Sequence, residues 1–374
     1  MGMKKRKLCI ILPQHWSYLM GGCEYQIKCL LERSFLQNEF DVFILSRRIG
    51  IAHESPKYRL VQIVKPYALQ RYGHILDAPF LWKKLSEISP DVIYQNIGTS
   101  YAGIAALYAR KNNCKMTLHI ASDNDIAPFK KKKQLKSLIS YIEKKTFSYA
   151  ILNAHQLIAQ TNEQKRIIKK YFGKETNAVI PNFQPYPIET IDKRTPIKVV
   201  WVANFKPIKQ PEMFIRLAED LQKMHVEAEF IMIGNPAISG GSSRQNWQQS
   251  LEARIKNIRF LNYVGGKTTD EVERILAESH ILVNTSQYEG FSNTFIQAWM
   301  RCVPVVSLKS NPDGLLSDGK MGLISGDYEQ LCKDVTRLIQ DQDLRILMGK
   351  EAQSYAFKHF TIDNAKKVMK ILVR

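Results

Sequence analysis

His280–Leu308 reads HILVNTSQYEGFSNTFIQAWMRCVPVVSL. HILVNTS is a short apolar run without strict alternation, as expected for a parallel strand covered on both faces. NTFIQAWMRC has helical character, and PVVSL is a second strand. The connections are short, so the segment predicts a β-α-β unit. The loop QYEGFSN then lies at the carboxyl end of the first strand. Ser292 or Asn293 suits the N-cap of the helix. Its first N–H groups and its dipole would favour an anion. Gly290 lets backbone approach a ligand. Glu289 would repel a phosphate, so its carboxylate suits sugar hydroxyls, a ribose pair among them. A helix cap with a surface glutamate is the plain alternative.

The same alternation extends outward. IKVVWVAN, EFIMIG and IRFLNYVG predict strands, and PEMFIRLAEDLQKM and TTDEVERILAES predict helices. Upstream, KLCIIL, DVFIL, DVIYQN, MTLHI, HQLIAQT and AVIPN form a second strand series, with helices over Cys23–Ser34 and Tyr101–Lys111. Between the series lies PYPIETIDKRTP (Pro185–Pro196), proline-rich and polar, which reads as a linker. The expected architecture is α/β with two doubly wound, Rossmann-like domains. They span 1–190 and 191–357, and a terminal helix in 358–374 packs back on the first. Ligands of such sheets bind at the carboxyl ends of strands, which places a cleft between the two domains.

The chain has 374 residues, 45% of them hydrophobic, and a formal net charge of +19. That charge favours an anionic partner or simply solubility. No apolar run reaches the roughly 18 residues that span a bilayer. The opening MGMKKRKLCIILPQHW has too short an apolar run for a signal peptide and reads as a buried strand. Arg6 stands where a myristoylation pattern needs Ser or Thr. Six cysteines (Cys9, Cys23, Cys29, Cys114, Cys302 and Cys332) form no CxxC pair. A reducing, cytoplasmic setting with no disulfide framework and no structural zinc is expected.

EGFSNTFIQAW resembles the Glu-x7-Glu motif of retaining glycosyltransferases of family 4, which have the GT-B fold. The first glutamate is Glu289; the second position holds Gln297, which keeps hydrogen-bonding capacity without the charge. The resemblance implies donor contacts from Gly290, Phe291, Ser292, Asn293 and Gln297. WVANFKPIKQPEM resembles the family's phosphate-neutralising loop. Asn204 stands at its arginine position and Lys209 at its lysine, with Lys206 nearby as a substitute cation. A fixed ammonium there would stabilise a departing diphosphate. FIMIGNPA places Gly234 near the nucleotide, and NYVGG places Tyr263 near the base. MGGCEYQIKCLLE brings Gly21 and Gly22 to the family's glycine loop at the start of a helix. MTLHIASDND puts His119 at the family's strand-end histidine, beside the donor sugar. The resemblance runs from the first strand to about Ser307.

A basic amphipathic stretch follows, with Lys130, Lys131, Lys132, Lys133 and Lys136 beside Leu135, Leu138, Ile139 and Ile142. It suits an anionic membrane surface, or an ordinary helix with solvated lysines. No nucleic-acid motif is present. The expectation is a retaining transferase. It moves a sugar from a nucleotide-diphosphate donor to a glycan or polyprenyl-linked acceptor in cell-surface polysaccharide synthesis, without cofactor or metal. A non-catalytic nucleotide-sugar or polyanion binder and a GT-B nucleotide-sugar epimerase are the alternatives.

Overall fold

The computed structural model describes residues 5–33, 36–51, 55–65, 73–127, 135–187, 193–235 and 242–374. The chain divides into two units, Met1–Phe183 with Ile362–Arg374, and Gln184–Thr361. The boundary falls at 183/184, seven residues before the one expected from the linker.

Unit 1 contains β1 (Arg6–Gln14), α1 (Gly22–Arg33), α2 (Leu36–Glu39), β2 (Phe40–Arg48), β3 (Arg59–Gln62), α3 (Ala78–Ile88), β4 (Val92–Gln95) and α4 (Ser100–Lys111). It continues through β5 (Lys115–His119), α5 (Asp123–Ile126), α6 (Leu135–Asn153), β6 (Gln156–Ala159), α7 (Asn162–Phe172) and β7 (Ala178–Val179). The sheet is parallel throughout, in the order β3-β2-β1-β4-β5-β6-β7. Leu8, Ile10 and Leu12 of β1 face one layer, and Cys9 and Ile11 the other. Burial on both faces explains why β1 reads as a continuous apolar run.

Unit 2 contains β8 (Lys198–Val202), α8 (Pro211–Lys223), β9 (Glu229–Ile233), α9 (Ser242–Ile255), β10 (Leu261–Tyr263), α10 (Thr269–Glu278) and β11 (Ile281–Asn284). Then follow α11 (Asn293–Trp299), β12 (Val305–Ser307), β13 (Gly322–Ile324), α12 (Tyr328–Gln340) and α13 (Gln342–His359). Its parallel sheet runs β10-β9-β8-β11-β12-β13. Helix starts are chemically marked: Thr268 and Glu271 form a capping box on α10, and Asp327 caps α12 through Gln330 N–H at 2.9 Å.

The last helix, α14 (Asp363–Val373), belongs to unit 1, where Ala365, Val368 and Leu372 join the layer of Leu8 and Leu30. Arg6 donates to the Val373 carbonyl at 2.6 Å and so fixes its end. Residues 358 and 359 are the last turn of α13 instead. In both sheets the strand order reverses beside the first strand, between β1 and β4 and between β8 and β11. The crevice above such a reversal is where open α/β sheets bind ligands.

Candidate functional site

In unit 2 the reversal point brings two loops together. After β8 the chain makes a 3-10 turn over Pro207–Lys209, and Gln210 takes φ +46° before Pro211 starts α8. After β11 comes Thr285–Ser292. Three interactions join these loops. Thr285 Oγ1 donates to the Lys209 carbonyl at 2.7 Å and itself accepts from Trp201 Nε1 at 2.8 Å. Gln287 N–H donates to the Ile208 carbonyl at 2.9 Å. The Lys209 ammonium pairs with Oε1 of Glu289. The side chains of that pair are only 22% and 13% exposed, so water screens it less than a surface pair.

Glu289 is held further. Its Oε1 also accepts from Ser286 Oγ at 2.7 Å and Asn284 Nδ2 at 3.3 Å. Among the described residues no side chain or backbone group of the protein donates to Oε2. The carboxylate is thus fixed through one oxygen, with acceptor capacity left on the other. A cavity of about 620 Å3 is lined by Gln210, Gln287, Tyr288, Lys309 and Asp327 among others, neighbours in sequence of Lys209 and Glu289, which do not themselves line it.

The other residues expected in unit 2 fall around this centre with varied roles. Asn204 Oδ1 accepts from Asn235 N–H at 3.3 Å and ties the β8 exit to the β9 exit. Lys206 is exposed, with no described contact to Glu289. A Cβ at Gly234 would lie 1.8 Å from the Ala203 carbonyl oxygen, so close strand packing alone demands glycine there. The Gly234 carbonyl accepts from the Tyr263 hydroxyl at 3.0 Å, and the Tyr263 ring packs on Phe205. Gly290 lies next to Glu289 in the loop and is partly buried.

The motif residues take the following places. Ser292 is the N-cap of α11 by position, yet its hydroxyl bonds Thr294 Oγ1 at 2.8 Å and caps no backbone N–H. Asn293 is the first residue of α11, which is only 7 residues long. Phe291 is 5% exposed and packs on Phe360 and Trp299, so it serves the core. Gln297 is also buried, at 5%. One turn on, Arg301 donates to the Gln297 carbonyl at 3.1 Å and pairs with Glu273 at 2.6 Å. The guanidinium thus has its counter-charge in Glu273.

In unit 1, His119 ends β5 and is 5% exposed. Its Nδ1 bonds the Tyr94 hydroxyl at 2.9 Å and its Nε2 the Ile180 carbonyl at 3.0 Å. A carbonyl only accepts, so Nε2 carries the proton and Nδ1 accepts from Tyr94. Burial lowers the imidazole pKa to about 4. Both nitrogens are engaged, so in this structure the ring is a neutral strut between β4, β5 and the segment after β7. Gly21 and Gly22 lie at the start of α1, with the Gly21 carbonyl accepting from Tyr25 N–H at 3.0 Å. Lys130, Lys131, Lys132 and Lys133 lie outside the described residues. Lys136 is in the first turn of α6.

Asn284, Thr285 and Ser286 carry little mark in the sequence, because a polar triplet ending an apolar strand looks like an ordinary loop entry. The signal was Asn284 itself, an amide in line with Ile281, Leu282 and Val283.

Residues 196–341 match the sequence family of group 1 glycosyl transferases. The chain is 23% identical over 228 residues to poly(ribitol-phosphate) alpha-N-acetylglucosaminyltransferase of Staphylococcus aureus, covering 59% of this chain and 45% of that protein. It is 23% identical over 412 residues to the uncharacterized glycosyltransferase MJ1069 of Methanocaldococcus jannaschii, covering 99% and 100%. The chain therefore spans less than half of the first relative and all of the second. Among solved structures it resembles sucrose-phosphate synthase of Thermosynechococcus elongatus, with a TM-score of 0.77, 14% identity and 98% of each chain covered. It also resembles Anabaena HepE in complex with UDP, with a TM-score of 0.73, 15% identity and 98% of each chain covered. The fold is GT-B, and residues 196–341 are similar to the group 1 glycosyl transferases.

Proposed function

We propose that this GT-B glycosyltransferase moves a sugar from a nucleotide-diphosphate donor to a hydroxyl of a glycan or lipid-linked acceptor in polysaccharide synthesis, with retention at the anomeric carbon. The observation that carries the reading is the Lys209–Glu289 pair at the β8/β11 reversal, with no donor to Glu289 Oε2 among the described residues. The donor's diphosphate draws the Lys209 ammonium, and Oε2 accepts from a hydroxyl of the donor sugar. As the glycosidic bond breaks, charge develops on the leaving diphosphate, and the ammonium stabilises it more than it stabilises the ground state. The acceptor hydroxyl attacks from the face the diphosphate leaves, and the departing phosphate oxygen takes its proton. Lys209 supplies a fixed positive charge, so turnover is expected without an added divalent ion. The HepE complexes contain UDP and UDP-glucose, which makes a uridine diphosphate sugar the first donor to try.

Membrane contact belongs to the same reading. On α6, Leu138, Tyr141 and Ile142 are exposed, and Lys145 lies over the Tyr141 ring at 5.6 Å. An exposed apolar and basic face suits an anionic bilayer carrying a lipid-linked acceptor. Co-sedimentation with phosphatidylglycerol vesicles, compared with phosphatidylcholine vesicles, tests it.

The deciding experiment incubates purified protein with a panel of nucleotide sugars, with and without acceptor glycans, and follows nucleotide release and product identity. Transfer with a retained anomer, abolished in Glu289→Ala, is expected. A new nucleotide sugar formed without acceptor would identify an epimerase instead. Tight donor binding with no turnover would identify a binding protein.

A further inference from the structure

Asn284 ends β11 and is 7% exposed, at a position where the rest of the strand is apolar. A buried amide persists where its donors and acceptors find partners. The Oδ1 of Asn284 accepts from Ser286 N–H at 3.1 Å and lies 3.5 Å from Ser307 Oγ. Those contacts set the amide's orientation and aim Nδ2 the other way. Nδ2 donates to Ser286 Oγ and to Glu289 Oε1, both at 3.3 Å. With its oxygen accepting from the amide, the Ser286 hydroxyl spends its own proton on Glu289 Oε1 at 2.7 Å.

All these donors reach one carboxylate oxygen. Lys209 reaches the same oxygen, but under the reading above the donor diphosphate takes that ammonium away. Glu289 would then lose one of the three partners of its Oε1. We infer that Asn284 and Ser286 are positioning residues: they hold Oε1 and keep Oε2 turned to the sugar once Lys209 has gone to the diphosphate. The inference rests on Glu289 being the sugar-orienting carboxylate.

The test compares Asn284→Asp, Ser286→Ala and Glu289→Ala in nucleotide release from the accepted donor, with UDP affinity and melting temperature measured beside it. Asn284→Asp keeps the shape and the acceptor but sets a second carboxylate against Glu289. Its acid limb in the pH–rate profile is expected to rise by about one unit or more, because like charges disfavour joint ionisation. At pH 7, kcat is expected to fall about tenfold, as for one lost charge-assisted hydrogen bond. UDP affinity should stay unchanged. Ser286→Ala should lower kcat by a similar factor, again at unchanged UDP affinity, and it decides alone if Asn284→Asp does not fold. A purely structural role would lower the melting temperature and leave the pH limb in place. Folded variants with wild-type kcat and pH profile, or with a loss confined to UDP affinity, would overturn the inference. Full activity in Glu289→Ala would instead sink the functional reading on which it rests.

Discussion

Glu289 of unit 2 follows the carboxyl end of a parallel strand and His119 of unit 1 forms one, and both carry catalytic expectations. Their surroundings differ in one respect. His119 spends both ring nitrogens on Tyr94 and Ile180. Glu289 receives every described bond on Oε1 and leaves Oε2 open. A group that meets a substrate needs unspent hydrogen-bonding capacity, and only the carboxylate has it. Position at a strand end nominates a residue, and valence left over after folding selects it.

The largest test of this contrast is Glu289→Ala, expected to lower kcat by about a hundredfold or more, as when one charge-stabilising group is removed from an active site. Lys209→Ala should come next, at roughly a hundredfold in kcat/KM. Lys209→Arg should restore part of it, since charge returns without the same geometry. Donor-hydrolysis kinetics measure both.

His119→Ala sharpens the other side. It leaves the Tyr94 hydroxyl and the Ile180 carbonyl unpaired in a buried site, so denaturant unfolding should show a loss of about 2–3 kcal/mol. The folded fraction should turn over near the wild-type rate. A collapse of kcat in folded His119→Ala, comparable to that of Glu289→Ala, would erase the contrast.

The pH dependence is a smaller effect. The His119 pKa lies near 4 in the fold, below its ordinary value. Between those values the unfolded chain binds the proton first, so stability falls as pH drops through the window. His280, at the entry of β11, is also lowered to about 4, by burial first and by Lys193 and Arg345 next, and adds in the same direction. Asp125 acts oppositely: burial raises it to about 7, so its contribution falls as pH rises toward 7. Unfolding curves from pH 7 down to 4 should therefore flatten in His119→Ala, and Asp125→Asn should gain stability over wild type at pH 8. Smallest of all is Gln297→Glu, expected to change kcat/KM by only a fewfold, with a lower melting temperature because the new carboxylate is buried.

Much of this protein could be read from residue order. Apolar runs without alternation marked β1, β8 and β11, and prolines marked the passage between units. EGFSN singled out Glu289, and the loop after β8 singled out Lys209. These signals survive because strand and helix periods, caps and turn residues act over a few neighbouring positions. The short elements α2, α5 and β13 carry too few residues for a period, and tertiary pairing alone reveals them. Folding also decided which candidates remain available to a ligand. Lys209 and Glu289 are 80 residues apart in sequence, and His119 is 25 from Tyr94 and 61 from Ile180. Whether a polar atom is spent or spare depends on partners at that range, and no local pattern encodes them.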